Sequence, residues 1–122
     1  MDTPQEVVQM QQPNKFELQL LHAQICQALA DPIRILLLYQ LADGPKNVNE
    51  LVAILHLNQP TISRHLKVLR DRDMVQTERT GTSIMYTLAD QRVIEALDLM
   101  RTFLKDNLEQ KSALAGMLAI AA

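Results

Sequence analysis

The stretch "NQPTISRHLKVLRDR", residues 58–72, holds Arg64, Lys67, Arg70 and Arg72, four of the twelve basic residues in a chain of 122 whose formal net charge is −2. Wound as a helix at about 100° per residue, it gathers Ile62, Leu66 and Leu69 on one side. Arg64 and Lys67 fall opposite, with Thr61 and Ser63 on the flanks and Gln59 at the N-terminal end. Arginine can fork onto a guanine edge, lysine can neutralise a phosphate, and hydroxyls can reach either. That is the chemistry of a side chain set that enters a major groove. Further along, Arg79, Thr80 and Thr82 surround Gly81 and suit a phosphate or minor-groove contact. Residues 59–82 carry Arg64, Lys67, Arg70, Arg72 and Arg79 against Asp71, Asp73 and Glu78. A locally basic surface on an acidic chain suggests a directed contact with a polyanion. One such helix alone is more often amphipathic with solvated charges, so the elements around it must decide.

Other reactive side chains are few. His22 and Cys26 stand one helical turn apart, a spacing that could hold a soft metal. A cysteine on an interface helix is more often a small apolar filler, so no metal and no cofactor is expected. His56 falls in a tight turn. His65 lies about 60° from the centre of the apolar face, which suits packing or hydrogen bonding at the core edge better than DNA reading. With no Ser/His/Asp set, no glycine-rich phosphate loop and no paired carboxylates in a cleft pattern, an enzyme is not expected.

Residues 1–14 are rich in Gln and Pro and read as a mobile arm. From Phe16 to Leu29, apolar residues at 18, 21, 25 and 29 give one helical stripe. Asp31 is a good N-cap, Pro32 suits the first helical position, and Gly44-Pro45 stops that second helix after Leu41. The second helix is apolar almost all round and should be central. Asn47 followed by Glu50 is a capping-box pattern that starts a short third helix ending near Leu55. "HLN" leaves room only for a tight turn before the helix Gln59–Arg72, with Asn58 as its cap. "MVQTERTGTSIMYTL" then alternates on both sides of Thr80-Gly81-Thr82, as a β-hairpin does. A last helix spans roughly Gln91–Gln110, and Val93, Ile94, Leu97, Met100, Leu104 and Leu108 give it an apolar seam larger than so small a domain can cover.

The fold expected is mainly α with a small β-hairpin: four helices, two strands and a fifth helix, in the order of a winged helix-turn-helix. Apolar residues make up 48% and charged residues 21%, with two Phe, two Tyr and no Trp, so the core must be aliphatic. The single cysteine excludes an intrachain disulfide, and the N-terminus does not read as a signal peptide, which points to the cytoplasm. The apolar tail, residues 112–122, is shorter than the roughly 20 residues a bilayer requires, so no membrane partner is expected.

Taken together, "ALADPIRILLLYQL", "NELVAILHLNQPTISRHLKVLRDRDMV" and "GTSIMYTL" resemble the ArsR/SmtB family of bacterial winged-helix repressors, over about residues 16–110. The resemblance implies one DNA-binding and dimerisation domain over residues 15–111. It also implies a homodimer built by the first helix (Leu18, Leu21, Ile25) and the last, reading a palindromic operator in double-stranded DNA and released by an effector. In that family the residues at Ser63 and Arg64 touch bases. Where arsenic-type members carry thiols this chain has Asn47, Asn49 and Val52, and its last helix lacks the histidines of zinc-type members. The rival reading is a winged-helix protein-interaction module without sequence-specific DNA binding, which calls for an acidic or apolar face where this one is basic and polar.

Overall fold

The computed structural model describes residues 11–121, so residues 1–10 of the arm and Ala122 of the tail lie outside the described residues. Among the described residues, five helices and one hairpin follow in order: α1 Lys15–Leu21, continued by a π-helical turn His22–Cys26; α2 Pro32–Ala42; α3 Val48–Leu55; α4 Gln59–Asp71; β1 Val75–Thr80; β2 Ser83–Leu88; and α5 Arg92–Ala121. Among the described residues no helix is long and apolar enough to cross a membrane.

Local chemistry sets these boundaries. The Asp31 carboxylate accepts from the Ile33 N–H at 2.8 Å with Pro32 opening α2. Around Asn47 the capping box closes in both directions, each bond 2.8 Å long. His56 ends α3 in a left-handed conformation (φ 57°), and two residues later Asn58 accepts from the Thr61 N–H at 2.9 Å to begin α4. Orphan N–H groups at helix starts are thereby satisfied, which fixes the turn between the two helices to three residues.

The core forms where α2, α3 and α4 meet. Leu37, Leu38, Leu51, Ile62, Leu66 and Leu69 are fully buried, joined by Met74 and Val75. The strands pair antiparallel with Thr80 opposite Ser83, and Gly81 takes a left-handed φ of 64° in the two-residue connection, a conformation that favours glycine. Lys46 and Tyr86 exchange two backbone hydrogen bonds, 3.1 and 2.8 Å, tying the hairpin to the segment that leads into α3.

The structure departs from the sequence pattern at four places. The π turn adds a residue to the first helix, so its stripe does not run true: Leu18 and Leu21 are exposed, while Ile25 and Leu29 pack against the core. Within β1 only Val75 is buried and Gln76–Thr80 are exposed, because the hairpin meets the core through Tyr86 and Leu88 of β2 instead. Periodicity puts Ile94 and Leu97 on a partner-facing seam, but the chain's own core closes over both, and Val93 is half covered. Met100, Leu104 and Leu108 remain exposed. Finally, α5 continues through Ser112–Ala121 rather than ending near Gln110, since that tail is mostly Ala, Leu and Met, all good helix formers.

At the start of α5 the Asp90 carboxylate accepts from both the Arg92 guanidinium, down to 2.7 Å, and the Arg92 N–H at 2.8 Å. The guanidinium bond, then the backbone bond, lowers its pKa to about 2. A depressed carboxylate adds stability above its unfolded value of about 3.9 and loses it as pH falls. Urea midpoints followed by circular dichroism should therefore fall between about pH 4 and pH 2 more steeply for the wild type than for Asp90→Asn.

Candidate nucleic-acid interface

Helix α4 rests on one face and presents the other. Ile62, Leu66 and Leu69 point into the core, whereas Gln59, Arg64 and Lys67 are exposed and Thr61 and Ser63 are partly so. The apolar spacing decides this, since the three buried side chains leave Arg64 and Lys67 no inward position. Pro60 occupies the first turn, where its missing N–H costs no helical bond. Gln59 Nε2 donates to Ser63 Oγ at 2.7 Å, so the two polar side chains at the helix start share a bond.

Lys67 Nζ donates to Asp71 at 2.8 Å, and this bond is the largest cause of the lowered pKa of Asp71. The pair is exposed at 75% and 53%. An ion pair so open to water is worth little, and Lys67 can turn to a phosphate at small cost. Arg64 makes no side-chain hydrogen bond or ion pair among the described residues, and its guanidinium is available to an incoming ligand.

Arg79, Thr80 and Thr82 stand exposed at the hairpin tip. The Lys46–Tyr86 bridge swings the hairpin beside the starts of α3 and α4, and together they outline an open cleft of about 370 Å³. Asn49, Gln59, Ser63 and Thr82 are among its lining residues. Asn49 and Ser83 enter this surface although the sequence pattern places neither at the DNA-facing side, because only the long-range bridge brings them together. His65 is buried against α2, with its Nδ1 3.3 Å from Arg34 Nη1, as its wheel position suggests.

The soft-metal candidates are less well placed. Cys26 is exposed, so it does not fill the core of this chain, and His22 Nε2 lies 3.5 Å from the Gln27 amide. Among the described residues no group of three or more His, Cys, Asp or Glu side chains could hold a metal ion.

A family model described as bacterial regulatory protein, arsR family, matches residues 31–77, from the cap of α2 into β1. The HTH-type transcriptional repressor SmtB of Mycobacterium tuberculosis is 41% identical over 70 residues, covering 57% of this chain and 52% of that protein. The chain thus spans about half the length of that relative. The biofilm growth-associated repressor of Xylella fastidiosa is 31% identical over 80 residues, covering 66% of this chain and 70% of the relative. Among solved structures, the homodimeric winged helix-turn-helix DNA-binding domain of a possible ArsR-family regulator from Mycobacterium bovis superposes with a TM-score of 0.68. It is 27% identical and covers 83% of this chain and 95% of that one.

Removing the cap of α4 should loosen the first turn and leave the rest of the helix in place. Asn58→Ala is expected to cost about 1 kcal/mol in chemical unfolding. Hydrogen exchange should quicken at the Thr61 amide, with Leu66 and Leu69 amides following only the global loss.

Proposed function

The chain belongs to the ArsR family of bacterial regulatory proteins, and from that premise we propose that it is a homodimeric, DNA-binding transcriptional repressor acting in the cytoplasm. Helix α4 enters the major groove. Arg64 reads a guanine edge, with Ser63 and Thr61 beside it, while Lys67 neutralises a phosphate and Arg79, Thr80 and Thr82 steady the flanking backbone or minor groove. The observation that carries this reading is the rotational setting of α4, with its apolar side buried and its basic, polar side exposed.

A two-fold dimer asks for a two-fold operator. Met100, Leu104 and Leu108 on α5 and Leu18 and Leu21 on α1 are exposed apolar side chains that a second copy would cover. The homodimeric Mycobacterium bovis neighbour supports that assembly. The operator is then a palindrome whose half-sites lie about one helical turn, or a small multiple, apart. An effector would release it. Three-thiolate arsenic coordination does not fit one cysteine per chain, or two per dimer.

Two substitutions on the same face separate base reading from charge neutralisation. Arg64→Ala should cost about 1–3 kcal/mol on the operator and relax discrimination at one base pair, whereas Lys67→Ala should weaken all duplexes alike and lower the salt slope by about one. Fluorescence anisotropy on operator and unrelated duplexes across a salt series tests this, and unchanged operator affinity in both variants would remove α4 from the interface. The dimer has its own check by sedimentation at micromolar concentration. Wild type should sediment as a dimer and Leu104→Glu as a folded monomer, and a wild-type monomer would contradict the assembly.

A further inference from the structure

Arg34, on the first turn of α2, engages all three of its guanidinium nitrogens inside the protein. Nε donates to the Ala28 carbonyl at 2.7 Å, Nη2 donates to the Gln27 carbonyl at 3.0 Å, and Nη1 faces His65 Nδ1 at 3.3 Å. The two carbonyls close the chain just after the π turn, while the imidazole, 8% exposed, sits in the middle of α4. A guanidinium has no acceptor, so Nδ1 must accept and the neutral ring carries its proton on Nε2. A second tie runs parallel: Gln24 Nε2, within the π turn, donates to Asp73 Oδ2 at 3.3 Å, just beyond the end of α4. Helix α4 is thus fastened to the first helical segment at its middle and at its C-terminal end.

We propose that Arg34 is a positioning residue for DNA reading, setting the height and rotation of α4 through His65 without touching DNA itself. The proposal rests on the reading of α4 as the DNA-reading helix. The apolar bed under Ile62, Leu66 and Leu69 decides which side of α4 faces inward, but apolar burial is non-directional and resists a small slide only weakly. A charge-assisted hydrogen bond is directional. His65 adjoins Arg64 in the chain, so a shift of the imidazole carries the reading side chain with it, and productive contacts tolerate only about 0.5 Å of error. Losing the Arg34–His65 bond should therefore damage discrimination while leaving the number of phosphate contacts unchanged.

The test compares wild type with Arg34→Leu, His65→Leu, the double variant and His65→Asn, whose side-chain carbonyl can stand where Nδ1 accepts. Operator and unrelated duplexes are titrated over a salt series, and 15N spectra of the free proteins report the histidine tautomer. Each Leu variant should lose about tenfold of the operator preference, and the double variant should be no worse than either single one, as expected for contacting residues. The salt slope should not change, and His65→Asn should keep most of the preference. Wild-type His65 should show the Nε2–H form, which Arg34→Leu shifts toward a mixture. A slope lowered by about one in Arg34→Leu would make Arg34 a phosphate contact and overturn the proposal. So would losses that add in the double variant, or a preference intact in either Leu variant. Should Arg34→Leu fail to fold, the two His65 variants and the wild-type tautomer still decide. A wild type with no preference for any duplex would overturn the DNA-reading function itself, a result distinct from a preference that survives in Arg34→Leu.

Discussion

Everything proposed for this chain depends on how α4 is seated. Ile62, Leu66 and Leu69 are fully buried against α2 and α3, and burying a side chain of that size is worth about 1.5–3 kcal/mol. Rolling the helix by one residue, about 100°, would bring Leu66 toward water and Arg64 toward the core. No available gain offsets both changes, because an unpaired charge in an aliphatic interior costs several kcal/mol more. The reading face is the consequence of what the opposite face must bury.

The supporting elements each remove one freedom from that helix. The three-residue turn, pinned by the left-handed His56 and the Asn58 cap, fixes its approach to α3. Met74 and Val75, buried directly after it, fix where the hairpin departs. Arg34 and Gln24 tie it to the first helical segment. On the far side, Tyr39 donates to Asp98 at 2.5 Å and lies under Arg101, with the guanidinium carbon 5.1 Å from the ring centre, so α5 is held to α2. The segment proposed to carry the dimer contact is therefore linked through α2 to the segment proposed to carry the DNA contact.

Much of this was legible in the sequence because it is written in local chemistry. Asp31-Pro32, the Asn47…Glu50 box, Asn58 and Thr80-Gly81-Thr82 mark their boundaries within a few residues, and apolar spacing gives the buried side of α4. What escaped the pattern needs distant partners or an irregular backbone. The π turn leaves no composition signal, and the Lys46–Tyr86 bridge joins segments forty residues apart in the chain. Ile94 and Leu97 continue the same period as Leu104 and Leu108, so periodicity cannot separate the part of α5 that the domain covers from the part it exposes. Arg34 reads as an ordinary charge on an apolar helix until its three acceptors are seen.

The most direct test of the central claim is methylation protection at guanine N7 on a fragment that the purified protein selects from genomic DNA. A seated α4 predicts two protected patches in the major groove, related by a two-fold axis and centred about one helical turn, or a small multiple, apart. Failure to enrich any fragment over bulk DNA, or retention without protection of any guanine N7, would contradict sequence reading by this helix.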